Sequence, residues 1–109
     1  MQIKNVKECR VNDALSIISG KWKPALLLTL INEGPKRFNE LERELNGITP
    51  KMLASQLKSL ESEGLIIRTQ YESIPPKVTY EISKYGLELE KILRSLHDWG
   101  IKHNLNKEK

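Results

Sequence analysis

Two lysines and two serines recur at helical spacing in the middle of the chain. At about 100° per residue, one side of a helix would carry Lys51, Ser55, Lys58 and Ser62. Ammonium and hydroxyl groups donate hydrogen bonds to phosphate oxygens and to the edges of bases. No acid follows on this segment until Glu61. The row is therefore a candidate surface for an anionic partner, although on an isolated helix an ordinary solvated face is the simpler interpretation.

The rest of this segment indicates how the row is positioned. Leu53, Leu57 and Leu60 repeat on the opposite side, as on a helix that packs against a core. Thr49 suits the N-cap, and Pro50 suits the first helical position, where its missing N–H has no partner to lose. The pattern predicts a helix over about residues 49–63, with leucines inward and cations outward.

A shorter helix is predicted immediately before it. Phe38 opens this stretch, and Asn39 suits the N-cap, with Glu42 three residues later as in a capping box. Asn46 and Gly47 accept a left-handed backbone and so can end the helix. Two helices joined by so short a turn form a helix-turn-helix.

A hairpin pattern follows the second helix. Residues 65–72 and 78–82 read as strands, the second alternating apolar and polar side chains. Pro75 and Pro76 stiffen the connection between them, and Lys77 is placed to reach a phosphate or the minor groove. A helix-turn-helix followed by such a wing places one helix in the major groove of DNA. Taken alone, the hairpin is equally well interpreted as plain surface structure.

Composition sets the outer limits. The chain has 109 residues and a formal net charge of +4, and we expect one winged-helix domain over residues 1–109. This charge permits nucleic-acid binding without requiring it. The sequence contains no run of about 18 apolar residues, so no membrane span is predicted. The N-terminus lacks the apolar stretch of a signal peptide. A single cysteine excludes an intramolecular disulfide. We therefore expect a cytoplasmic protein.

The terminal segments predict a contact between subunits. A short amphipathic helix runs from Val11 to Ile18, and one long helix is expected from Ser83 toward His103. That long helix has two apolar sides. One side carries Leu89, Ile92, Leu93, Leu96 and Trp99, and the other carries Leu87, Ile101 and Leu105. We interpret the surplus as a homodimer contact, which would set two reading helices about 34 Å apart. A monomer with scattered exposed leucines is the alternative.

These motifs together resemble the HxlR family of bacterial winged-helix transcription regulators, over nearly all of residues 9–100. The matching stretches are Gly20-Lys21-Trp22, Arg37-Phe38-Asn39-Glu40-Leu41, Ile48-Thr49-Pro50-Lys51-Met52-Leu53, Leu57, Leu60-Glu61, Gly64-Leu65-Ile66, Pro75-Pro76-Lys77-Val78, Tyr80, Gly86 and Asp98-Trp99-Gly100. The chain departs from the family pattern at Arg10, where proline is frequent, and at Thr79, where glutamate is frequent.

The resemblance implies a mainly α fold with a small β-wing (α+β), in which N- and C-terminal helices form the dimer contact. It implies a homodimer that binds double-stranded operator DNA, with the helix from Thr49 as recognition helix and the hairpin around Lys77 as wing. The candidate DNA-binding residues are Thr49, Lys51, Ser55, Gln56, Lys58, Arg37, Asn39 and Lys77.

Cys9 is a candidate redox or electrophile sensor. Several members of the family sense oxidants or electrophiles through a cysteine just before the first helix, and Cys9 matches that position. Lys7, Arg10 and the following helix start favour the reactive thiolate, whereas Glu8 opposes it. An inert, small hydrophobic side chain is the alternative.

Enzyme chemistry finds little support in the residues. His97 and His103 are six apart, so they do not share a helix face as metal ligands at i and i+4 would. We expect no catalytic residues, metal or cofactor, and leave open an unidentified small-molecule effector. The competing hypothesis is a winged-helix module that uses the same helix to bind protein instead of DNA.

Overall fold

A computed structural model describes residues 5–107 of the chain. After a 3-10 turn at Val6–Glu8, its elements are α1 (Val11–Ile18), α2 (Lys23–Glu33), α3 (Phe38–Glu44), α4 (Pro50–Ser62), β1 (Ile66–Tyr71), β2 (Lys77–Ile82), α5 (Lys84–Leu87) and α6 (Glu90–Lys107). The fold is mainly helical with a two-stranded antiparallel wing, which confirms the predicted fold class. Residues 1–4, where no signal peptide was expected, lie outside the described part.

The core is built mostly from leucines. Helix α2 lies at its centre, because Leu26, Leu27 and Leu30 are all fully buried. Each such side chain contributes roughly 1.5–3 kcal/mol by leaving water. The remaining core comes from the end of α1, from every later helix except α5 together with the adjoining turns, and from the start of the wing: Ile18, Leu41, Leu45, Ile48, Leu53, Leu57, Leu60, Leu65, Ile66 and Leu93.

The local chemistry at the start of α4 is as predicted. The Thr49 hydroxyl accepts a hydrogen bond from the Met52 N–H at 3.1 Å, and Pro50 occupies the first helical position. Leu53, Leu57 and Leu60 are buried, so the inner face of this helix is fixed by packing.

The predicted cap of α3 is wrong by two residues. The helix begins at Phe38, so Asn39 is already inside it, and Arg37 occupies the cap position. The Arg37 N–H donates to Glu40 Oε1 at 2.9 Å, so Glu40 and not Glu42 closes the first turn. Phe38 packs against the core, which favours its inclusion in the helix over its use as a flanking residue.

The wing has a regular register, from Ile66 opposite Ile82 to Tyr71 opposite Lys77. One extra backbone pair extends it, because Lys36 N donates to Tyr80 O at 2.9 Å and Tyr80 N donates to Lys36 O at 2.8 Å. The segment between α2 and α3 thus joins the outer edge of β2 at a single position, which the sequence pattern did not indicate.

The single C-terminal helix that we predicted is two helices. Ser83 caps α5 by accepting the Gly86 N–H at 2.9 Å, and the chain turns at Glu88 and Leu89 before α6 begins. A Cβ on Gly86 would lie 2.2 Å from the Leu65 carbonyl oxygen. This close approach places α5 against the start of the wing.

Most apolar side chains of α6 remain exposed. Only Leu93 is buried and Leu89 is partly buried, whereas the rest of both predicted apolar sides faces outward: Leu87, Ile92, Leu96, Trp99, Ile101 and Leu105. The Trp99 and His103 rings stack on each other, with their centroids 5.0 Å apart. Val11 and Leu15 of α1 are also exposed. The terminal helices therefore present more apolar surface than one chain covers.

No helix within residues 5–107 has, by itself, the length and apolar character of a membrane span. The segments Val6–Ile18 and Lys23–Glu33 pass that test only together, bent by 76°.

Candidate nucleic-acid interface

The outer face of α4 carries the predicted row of cations and hydroxyls. The side chains of Lys51, Ser55, Lys58 and Ser62 are exposed, while the leucines of the same helix are buried. Within the described residues, neither Lys51 nor Lys58 takes part in an ion pair. Two positive charges on a firmly packed helix are thus available to an anionic partner.

The other polar side chains of α4 are partly engaged. Ser62 Oγ donates to the Ser59 carbonyl oxygen at 2.8 Å, and Gln56 is half-buried, with Nε2 3.6 Å from Met52 Sδ. The Thr49 hydroxyl serves as the helix cap but keeps its own proton for a second partner. Lys51, Ser55 and Lys58 are accordingly the most available donors of the row.

Arg37 and Asn39 lie at the start of α3, and both are exposed. No hydrogen bond or ion pair within residues 5–107 connects their side chains to the row on α4. They belong instead to the first helix of the helix-turn-helix, where their side chains can donate hydrogen bonds to phosphate.

Lys36, next to Arg37, has a structural role that sequence reasoning missed. Its Nζ lies 2.8 Å from Glu44 Oε1 and 3.0 Å from Glu33 Oε1, and its side chain is only 16% exposed. The hydrogen bond that Lys36 Nζ donates to Glu44, followed by the one it donates to Glu33, raises the pKa of Lys36 above its ordinary value. Lys36 thus connects the end of α2 to the end of α3, and its backbone pairs with the wing.

The residue exposed at the wing tip is not the one that we predicted. Lys77 belongs to β2 and is half-buried, with Nζ 5.0 Å from the centroid of the Tyr71 ring. The tip itself is held by a hydrogen bond from Ser73 Oγ to the Pro75 carbonyl oxygen at 2.7 Å. Ile74 is fully exposed there, with a relative exposure of 102%. Sequence reasoning missed Ile74 and Tyr71, although an isoleucine beside two prolines in a polar turn is unusual.

Cys9 follows the 3-10 turn directly. Its thiol is free and partly buried, and its N–H donates to the Val6 carbonyl oxygen at 3.2 Å. The Arg10 guanidinium pairs with Asp13 at 3.2 Å, so this cation is engaged with the first turn of α1.

The part of the chain that the structure describes contains no candidate metal site. No three His, Cys, Asp or Glu side chains converge there. One histidine of α6, His103, instead stacks on Trp99.

A helix-turn-helix with an exposed cationic second helix, followed by a wing, defines the winged-helix class of transcription regulators. The chain belongs to the HxlR-like helix-turn-helix family, which matches residues 17–108. A regulatory protein named MalR, from Fusobacterium mortiferum, is 48% identical over 100 residues, covering 92% of this chain and 94% of MalR.

Solved structures show the same similarity. The reduced form of the redox regulator HypR aligns with a TM-score of 0.86 and 39% identity, covering 92% of this chain and 98% of HypR. A transcriptional regulator of the MarR family from Enterococcus faecalis V583 aligns with a TM-score of 0.81 and 37% identity, covering 98% of this chain and 96% of that one. The chain is thus a helix-turn-helix regulator by family and by fold.

Proposed function

We propose that this protein is a sequence-specific, DNA-binding transcription regulator that acts as a homodimer, as a single winged-helix domain in the cytoplasm. The observation that carries the proposal is the exposed cationic face of α4, whose lysines form no ion pair among residues 5–107, directly opposite its buried leucines. In this proposal α4 enters the major groove, and the wing contacts the backbone and the minor groove.

The contacts divide by chemistry. Lys51, Ser55 and Lys58 read base edges or bind phosphate, and Gln56 supports them from the half-buried margin of the same helix. Thr49, at the positive end of the helix dipole, contacts phosphate. Arg37, Asn39 and Lys77 supply further backbone contacts from α3 and from the wing.

The dimer is proposed from the exposed apolar side chains of α1 and α6. Leu15, Leu96 and Trp99 are each between two-fifths and two-thirds exposed. A twofold contact through such side chains would present two copies of α4 to successive major grooves, about 34 Å apart.

A gel-shift experiment tests the DNA-binding claim. The parent protein is titrated against DNA from upstream of its own gene, and the Lys51→Ala/Lys58→Ala variant is titrated beside it. Lys91→Ala/Lys102→Ala is the matched control, because it removes the same charge from exposed positions on α6. We expect weaker binding only for the α4 variant, and equal binding by all three proteins would refute the proposed reading face.

The competing function is a winged-helix module that binds protein through α4. Salt dependence separates the two. In a plot of the logarithm of the DNA-binding constant against the logarithm of salt concentration, each neutralised phosphate makes the slope more negative by about 0.9. A steep slope for the parent that becomes shallower in the Lys51→Ala/Lys58→Ala variant supports DNA binding through α4. If the parent forms no retarded complex with DNA at low salt, the protein-binding module is supported.

Redox control through Cys9 is a second candidate, supported by the similarity to the redox regulator HypR in both its reduced and oxidised forms. With one cysteine per chain, two Cys9 thiols from different subunits, or Cys9 and a small thiol, would form one S–S bond and transfer two hydrogens to an oxidant such as diamide. DNA affinity of the parent should then change with diamide and recover with dithiothreitol. A Cys9→Ser protein that responds like the parent would refute the sensor.

A further inference from the structure

An apolar cavity of about 220 Å³ lies between the terminal helices and the end of α4. Its apolar walls are Ile17 and Ile18 of α1, Leu65 after α4, Leu89 in the turn before α6, and Ile92 in the first turn of α6. Residues from α1, from the end of α4, from α5 and from α6 therefore line one partly open space, and the buried side chains of Ile18 and Leu65 form part of its lining.

The polar groups of this cavity have a single sign of charge. Two carboxylates, those of Glu63 and Glu88, line it together with the ring of Tyr85, and no lysine or arginine of the described part of the chain does. Neither carboxylate takes part in an ion pair among residues 5–107. The two carboxylates would repel an anion, and a neutral ligand would gain no electrostatic attraction from them.

We propose that this cavity binds a small hydrophobic cation, such as an aromatic or quaternary ammonium compound. The apolar walls would take up its hydrocarbon part. The two carboxylates would attract its charge, and the Tyr85 ring, which is 59% exposed, would offer the aromatic face that ammonium groups favour. The inference names a ligand class for the unidentified effector and rests on the proposed regulatory role only for its biological meaning.

The position of the cavity connects three functional parts of the molecule. Glu63 is the C-cap of α4, and Ile17 belongs to α1, while Ile92 belongs to α6. A bound cation would contact the last turn of the proposed reading helix and both helices that we assign to the dimer.

Binding is tested with phenyltrimethylammonium added to the full-length, isotope-labelled chain, followed by amide NMR shifts in the absence of DNA. For so small a probe we expect a Kd on the order of 1 mM, with the largest shifts at Ile18, Leu65 and Glu88. tert-Butylbenzene, which is a neutral isostere, and benzoate, which is an anion, are titrated for comparison.

The charge requirement is tested with Glu63→Gln/Glu88→Gln. Both residues are exposed, so the substitution preserves shape and leaves the core untouched. Glu61→Gln is the matched control, because it removes an exposed carboxylate from the same helix end without lining the cavity. We expect the double variant to bind the cation about tenfold more weakly, equal to about 1.4 kcal/mol, and the control to bind like the parent.

Three results would overturn the proposal. They are equal binding of the neutral isostere, an unchanged Kd in the double variant, and no cavity shifts in the parent because a side chain of the second subunit already fills the space. Since no DNA is present, any of these results leaves the proposed DNA binding to be judged by its own gel-shift experiment.

Discussion

Ser83 Oγ donates a hydrogen bond of 2.6 Å to the Gly64 carbonyl oxygen and at the same time accepts the N–H of Gly86. One hydroxyl therefore connects the turn that ends α4 with the cap of α5, across the base of the wing. Ser83 is buried, so neither hydrogen bond is readily replaced by water.

Ser83→Ala should accordingly destabilise the protein by about 1–3 kcal/mol, because it removes a helix cap and leaves a carbonyl oxygen without its donor. Urea unfolding followed by circular dichroism measures this. Ser95→Ala, at an exposed position on α6, is the control and should change stability by less than about 0.5 kcal/mol. Equal stability of the two variants would contradict the connecting role of Ser83.

Lys51→Ala should weaken binding to the operator by about 1–3 kcal/mol if Lys51 reads a base, and the loss should be concentrated at one position of the site. If Lys51 only touches phosphate, the loss should be smaller and uniform across sequences. Titration of the variant against the operator and against single-base substitutions distinguishes these outcomes, and undiminished affinity on all of them would exclude Lys51 from the interface.

Ile74→Ser should weaken DNA binding without changing stability. The side chain is fully exposed at the wing tip, so it contributes nothing to the core, but an apolar side chain that is buried in a minor groove contributes roughly 1 kcal/mol or more. Gel shifts and thermal unfolding are compared with Val6→Ser, another highly exposed apolar position. Parent-like DNA binding by Ile74→Ser would mean that the wing tip does not reach the DNA.

Trp99→Lys should separate the subunits while each stays folded. Trp99 is 62% exposed in the single chain, so its replacement costs little within the subunit but places a charge in the proposed interface. Sedimentation velocity should show a dimer for the parent and a monomer for the variant, with unchanged circular dichroism. Lys102→Ala, exposed on the same helix, should stay dimeric, and a monomeric parent would refute the interface outright.

Lys36→Met should lower the unfolding temperature at neutral pH, because Glu33 and Glu44 lose their common partner. The raised pKa of Lys36 means that its contribution is fully present below its unfolded pKa of about 10.4 and is lost as pH rises through the higher folded value. The difference from the parent should therefore shrink only in strongly alkaline buffer. Lys84→Met, without an ion pair among the described residues, is the control, and a similar loss there would contradict the bridge.

The parts of the fold that follow from local sequence were predictable. Thr49 and Pro50 define the start of α4, and the leucine repeat defines its inner face, since capping and helical periodicity depend on neighbours along the chain. The cap of α3 and the break between α5 and α6 were not predictable in this way. Both regions contain tertiary contacts, because Phe38 packs on the core and Gly86 lies against Leu65, and a pattern of neighbours along the chain does not reveal such contacts.

The candidate site divides in the same manner. Exposure of Lys51, Ser55 and Lys58 followed directly from helical spacing. The partners of Lys36 and the contact of Lys77 with the Tyr71 ring join residues from different elements. A pattern read along one segment contains no information on such pairs.

Selection of bound fragments from the producing genome, with the parent and the Lys51→Ala/Lys58→Ala variant side by side, tests the central claim most directly. We predict that the parent enriches paired half-sites whose centres lie about one helical turn, or a multiple of it, apart, and that the variant loses or alters this motif. Enrichment of the same motif by both proteins would show that a surface other than the outer face of α4 reads the DNA.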